Sequence, residues 1–148
     1  MKRLLTQFSC ALAVLALSTT MGFAKPGWSE DYAKSVEQGK SEKKLILLDF
    51  TGSDWCGWCM KLDKEVFSTP EFKSYAKEHL VLVELDFPQR KPQTNKIKQQ
   101  NEKLQSEFGI KGYPTIIVLN AEGKKVGELG YMEGGPKAFI EALEKLKG

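Results

Sequence analysis

Two cysteines three residues apart, Cys56 and Cys59, constrain this chain more than any other feature, because of what stands on either side of them. Ahead lies an apolar run, Leu45 to Phe50, that reads as a strand. Behind, Cys59, Leu62 and Val66 recur at helical spacing. The pair therefore sits at a strand-to-helix turn. A cysteine at the start of a helix faces unpaired backbone N–H groups and the positive end of the helix dipole. Both favour thiolate over thiol, and the thiolate is the attacking species in disulfide exchange. Cys59 lies one turn further in, close enough to close a disulfide with Cys56. The stretch Asp54-Trp55-Cys56-Gly57-Trp58-Cys59 reads as a switchable dithiol.

Other uses of such a pair fit less well. A structural zinc site takes four ligands. After Cys59 the chain has no further cysteine, and His79 is its only histidine. Haem attachment requires a histidine directly after the second cysteine, where Met60 stands. An inert structural disulfide stays open, although disulfides that mainly stabilise tend to close longer loops. No metal, flavin or nicotinamide is needed for dithiol chemistry within this chain.

The first residues read as an address. Lys2 and Arg3 form a basic start, Ala11 to Leu17 is an unbroken apolar core, and Gly22-Phe23-Ala24 offers small residues where a signal peptidase reads. Cleavage is expected after Ala24, giving a signal peptide over residues 1–24 and one domain over 25–148; retention as an anchor is the alternative. The apolar stretch is short for a membrane span. Cys10 stands at the front of this core and would be discarded. Loss of Lys2 and Arg3 takes two cations off a formal net charge of +3, leaving no general argument for nucleic acid or an anionic membrane as partner. Export to a bacterial periplasm or beyond places Cys56 and Cys59 where disulfides persist.

Along the remaining chain, Ser29 or Asp31 can start a helix that runs to about Gln38 and ends at Gly39, followed by a charged loop over Lys40 to Lys44. Tyr32, Ala33 and Val36 are its apolar positions. Leu45 to Phe50 is almost wholly apolar, as for a central strand covered on both faces. Asp49 interrupts it, either as a strand-end residue pointing to water or as a buried carboxyl with a raised pKa, and the residues alone tip towards water. The helix after the dithiol reaches Phe67, with Lys61 and Glu65 spaced to pair on its outer face. Ser68-Thr69-Pro70-Glu71 carries a capping-box pattern for a new helix. His79 reads as the end of that helix. Leu80 to Asp86 is the next strand, and its interior acid, Glu84, repeats the oddity of Asp49. A loop with Pro88 and Pro92 follows. Arg90, Lys91, Lys96 and Lys98 then run without an acid, read either as a solvated basic face or as a steering surface for an acidic partner. Thr94 to Phe108 is a surface helix ended by Gly109. Ile116 to Leu119 is a strand, Asn120-Ala121-Glu122-Gly123 a hairpin turn, Lys124 to Leu129 the last strand, and Gly134-Gly135-Pro136 opens the last helix.

That order of elements, the Trp55-Cys56-x-x-Cys59 turn, Tyr113-Pro114-Thr115 before an apolar strand, and Gly130 after the last strand resemble the thioredoxin superfamily over nearly all of residues 25–148. The stretch Leu48 to Cys56 looks like the exported bacterial thioredoxin-like branch, and that branch also resembles the C-terminal domain of the transmembrane reductant carrier. The resemblance implies an α/β thioredoxin fold, a central mixed β-sheet flanked by helices. It implies Cys56 as the exposed attacking thiol and Cys59 as the buried resolving thiol. Pro114 would be cis, setting Tyr113 beside the sulfurs, where its backbone pairs with a substrate chain. Trp55 and Trp58 would form an apolar rim. Asp49 would be buried and assist deprotonation of Cys59, although its gap to Cys56 is one residue longer than the usual pattern. Glu84 takes the position where many thioredoxins carry a lysine. Two such carboxyls in a dry site do not both ionise, so one would hold a proton near neutral pH and relay it to or from Cys59.

The function implied is a thiol–disulfide oxidoreductase acting on disulfide-containing proteins or small-thiol substrates and recharged by a membrane electron donor. The strong exported oxidants carry a histidine between their cysteines; the uncharged Gly57-Trp58 points instead to a reductase or isomerase. The chain has no room for a dimerisation domain, so a monomer is expected. The rival reading is a thioredoxin-fold binding or chaperone module with an incidental disulfide.

Overall fold

The computed structural model of the protein describes residues 24–147. The expected signal segment, its cleavage site and Cys10 fall, apart from Ala24, outside the described residues. In chain order the elements are helix α1 (Tyr32–Glu42), strand β1 (Leu45–Thr51), helix α2 (Gly57–Leu62) running into a π-helical turn (Asp63–Phe67), and helix α3 (Pro70–His79). Strand β2 (Leu80–Asp86), helix α4 (Asn95–Glu107), strands β3 (Thr115–Leu119) and β4 (Lys125–Leu129), and helix α5 (Gly135–Lys145) follow. Among the described residues no helix is long and apolar enough to cross a membrane.

The strands form one mixed sheet in the order β2-β1-β3-β4. β1 runs parallel to β2 and antiparallel to β3, and β3 pairs antiparallel with β4. β1 is buried at every position, which its almost unbroken apolar run requires. Alternate residues feed two cores. Leu45, Leu47, Ile116 and Val118 pack under α2, the π-turn, α3 and α5 through Leu62, Phe67, Phe72 and Phe139. Ile46, Leu48, Phe50 and Ile117 meet α1 and α4 on the other face through Val36, Leu104 and Phe108. The outer edge of β2 is partly covered by the segment before α1, where Ser29 bridges to Val83.

Several local expectations need correction. α1 continues through Gly39 and the supposed loop residues Lys40 to Glu42, and ends at Lys43, whose left-handed backbone turns its N–H back to the Gly39 carbonyl. Gly39 is small because a Cβ there would come within 2.5 Å of Ile46. Ala33 is exposed, not part of the buried face. The cap of α3 is the Thr69 hydroxyl, which accepts from the Phe72 N–H at 3.3 Å, with Pro70 in the first turn; Glu71 makes no reciprocal bond. Lys61 and Glu65 do not pair directly, because the π-turn beginning at Asp63 breaks the four-residue spacing. Glu65 instead accepts from the Tyr131 hydroxyl at 2.7 Å.

Candidate active site

The apolar strand β1 ends at Thr51, and Gly52 turns the chain: its carbonyl accepts from the backbone N–H groups of Trp55 at 3.2 Å and Cys56 at 2.9 Å. Gly52 must lack a side chain, since a Cβ would run into the Trp55 indole. Cys56 then caps α2. Its backbone is extended, and its Sγ accepts from the Cys59 N–H at 3.2 Å. An orphan helix donor thus points at the first sulfur, the arrangement that favours its thiolate on reduction. Cys56 and Cys59 are joined by a disulfide, with Cα atoms 5.2 Å apart. The expected contrast of exposed and buried sulfurs is absent in this oxidised form: Cys56 is 7% and Cys59 4% exposed. Trp55 and Trp58, on either side of Cys56 in the chain, are both exposed.

The surrounding rim is aromatic. Trp55 donates its indole N–H to the Phe87 carbonyl at 2.8 Å and meets the Tyr113 ring edge-on at 5.7 Å. The Tyr113–Pro114 peptide is cis, and the Tyr113 hydroxyl accepts from Gln105 at 2.6 Å. Trp58 is 57% exposed and packs on Tyr131 at 5.0 Å. The Lys61 ammonium lies 5.0 Å from the Trp58 ring and 4.8 Å from Tyr131. Tyr131 was not singled out in the sequence; its one signal is its place directly after Gly130.

On the strand that leads into the dithiol turn, Asp49 is the direct partner of Glu84 across the parallel β1–β2 ladder. Both are buried, so Asp49 does not point to water as its strand-end position suggested. Lys25, which sequence reasoning did not place here, joins them. Its Nζ lies 3.6 Å from Asp49, 3.3 Å from Glu84 and 2.9 Å from Asp63. Burial pushes the Asp49 carboxyl up to about 7; Lys25 opposes that shift, while Glu84 and Asp63 add to it. Burial likewise raises Glu84 against the pull of Lys25. Burial pulls the Lys25 ammonium down, but Asp49, Glu84 and Asp63 together hold it above the ordinary lysine value. One Asp49 oxygen, Oδ1, is buried without a hydrogen-bond partner, as suits a carboxyl that keeps its proton. Asp63 had a legible signal: it follows Cys59 by four residues, on the inward stripe with Leu62 and Val66. Lys25, Cys59, Met60, Asp63, Glu84 and Asp86 all border a cavity of about 600 Å³.

The basic loop after β2 is tied to the dithiol turn. The Asp54 carboxylate accepts from the backbone N–H groups of Gln89 (3.0 Å), Arg90 (2.6 Å) and Lys91 (3.0 Å). Those donors, Gln89 first, hold its pKa below the usual carboxylate range. Ser53 donates its N–H to Asp86 at 2.9 Å, and Lys91 reaches the Ser53 hydroxyl at 3.1 Å. Arg90, Lys96 and Lys98 are exposed, and Lys98 pairs loosely with Glu102 at 3.9 Å.

A family model for the thioredoxin-like domain matches residues 32–147. The disulfide bond reductase DsbH of Chlamydia pneumoniae is 38% identical over 115 residues, covering 78% of this chain and 69% of that protein. The thioredoxin-related protein DsbJ of the same organism is 37% identical over 103 residues, covering 70% of this chain and 30% of that protein. Among solved structures, a DsbH oxidoreductase superposes with a TM-score of 0.76 at 37% identity, over 80% of this chain and 82% of that one. The oxidised C-terminal domain of Neisseria meningitidis DsbD shares the fold, with a TM-score of 0.57 at 22% identity over 76% and 90% of the two chains. The match to the family and the identity to DsbH across most of both chains complete what the geometry had narrowed: this chain belongs to the thioredoxin-like family and is a thiol–disulfide oxidoreductase.

Proposed function

We propose that the protein is an exported reductase of the bacterial cell envelope, able also to isomerise disulfides, whose residues 1–24 are removed as a signal peptide. In the reduced form, the Cys56 thiolate attacks one sulfur of a substrate disulfide. A mixed disulfide forms and the substrate's other sulfur leaves as a thiolate. Cys59 then gives up its proton to the Asp49–Glu84 pair and attacks the Cys56 sulfur. The Cys56–Cys59 disulfide forms and the second substrate thiolate is released. A membrane dithiol donor returns two electrons by the reverse sequence of exchanges.

The observation that carries this reading is the Cys59 N–H aimed at the Cys56 sulfur at 3.2 Å inside a closable pair. The substrates are disulfide-containing proteins or small-thiol disulfides. The backbone at Tyr113 and Pro114 receives the substrate chain as an added strand, and Trp55 and Trp58 flank the dithiol as an apolar rim. The uncharged Gly57-Trp58 between the cysteines supports the reducing direction, as does the name of the DsbH relative. The test is insulin-disulfide reduction with dithiothreitol as electron source. The wild-type protein accelerates it and Cys56→Ser does not; equal rates would make the protein a binding module instead. Redox titration of the pair should give a potential near that of thioredoxin, about −270 mV, and a value near −120 mV would reverse the direction of electron flow.

A further inference from the structure

Asp49 and Glu84 are neighbouring buried acids, and the cation that meets both comes from the segment before α1. The segment before α1 crosses the outer edge of β2. The Ser29 N–H donates to the Leu82 carbonyl at 2.9 Å, and the Ser29 carbonyl accepts from the Glu84 N–H at 2.8 Å. This two-sided pairing fixes the segment in register with the very residue whose side chain Lys25 meets. Trp28 packs on Phe67 at 5.1 Å, and the Lys25 ammonium lies 4.5 Å from the Trp28 ring, so the side chain is aimed by packing as well as by charge.

We propose that Lys25 is a positioning residue for the resolving step: its ammonium keeps the Asp49–Glu84 pair able to accept the Cys59 proton at neutral pH. The proposal rests on the reading of Cys56 and Cys59 given above. The charged groups facing the pair are Lys25 on the edge segment, Asp63 after α2, and Asp86 further along β2. Glu30 and Lys91 border the same cavity, with Lys91 engaged by Ser53. Among the described residues, Lys25 is thus the cation in contact with both buried acids, while Asp63 and Asp86 add negative charge. An opposite charge within contact distance lowers a carboxyl pKa by about one to three pH units. Without it, burial and the neighbouring acids favour the neutral form of both carboxyls, and a neutral carboxyl cannot take a proton from Cys59. With it, one of the two is ionised and the cavity beside Cys59 gives the proton a way out.

Reaction of the reduced protein with 5,5′-dithiobis(2-nitrobenzoate) separates the steps. Attack by Cys56 releases the first nitrothiobenzoate and leaves a mixed disulfide. Attack by Cys59 on that disulfide releases the second and closes the pair. In Lys25→Met and Lys25→Gln the first release should be unchanged. The pH midpoint of the second should rise by one unit or more, about fivefold slower or more at the wild-type midpoint, and Lys25→Arg should restore it. An unshifted second-step profile in a folded uncharged variant overturns the proposal, and so does unfolding of both, since the lysine would then be structural first. Loss of the first release in wild type would instead sink the underlying role of Cys56.

Discussion

A carboxyl with 2% exposure and one unpartnered oxygen is stable mainly in its neutral form, and Asp49 keeps its proton up to about 7 against an ordinary 3.8. Between those values the folded chain binds more protons at this group than the unfolded chain does. Its contribution to stability is therefore full below about 3.8 and is lost as pH rises towards 7. Asp49→Asn removes that titration. In urea unfolding of the oxidised protein, the variant should gain stability relative to wild type across this interval, by on the order of 4 kcal/mol at most, and then stay level. A pH-independent difference would mean that Asp49 is not the group that titrates. The acid could be seen in the sequence, where the residues alone tipped its setting towards water and the resemblance implied burial. A lone Asp in an apolar strand fits a solvated strand end as well as a buried pair, and only the β1–β2 register distinguishes them.

At the level of elements, the chemistry depends on the junction between β1 and α2. The strand delivers Asp49, the Gly52 carbonyl turns the chain, and Cys56 arrives as the helix cap. The strands, the start of α3 and the dithiol helix were legible because each is carried by a local pattern: apolar runs for strands, Thr and Pro for the start of α3, the cysteine spacing for α2. Where the same signals were misread, a distant neighbour was the cause. Gly39 looks like a helix stop, but its smallness serves the close approach of Ile46. Gly39→Ala sets two effects against each other. Helix propensity favours alanine by about 1 kcal/mol. Overpacking against a buried Ile46 that cannot move aside costs about 1–3 kcal/mol. Net destabilisation of up to about 2 kcal/mol is expected in a denaturant melt, and a stabilised variant would show that the β1–α1 contact is looser than described.

Across the whole molecule, the sheet order brings residues far apart in the chain to one site. β1 lies between β2 and β3, so Asp49 has Glu84 on one side and the strand following the cis Tyr113–Pro114 on the other. The element order, the dithiol and the proline loop could be read directly, since nearly the whole domain is built of ordinary alternating strands and helices. Lys25 and Tyr131 could not, because they reach the site through an isolated bridge at the sheet edge and through aromatic packing, neither of which leaves a periodic trace. The same assembly makes one demand of the reduced protein: a helix-capping sulfur ionised at neutral pH above a second, protected one. The pH dependence of iodoacetamide alkylation, with the modified residue identified by mass spectrometry, tests this most directly. The account predicts that Cys56 alone reacts and titrates well below the free-cysteine value of about 8.5; modification of Cys59, or a Cys56 midpoint at the free-cysteine value, would contradict it.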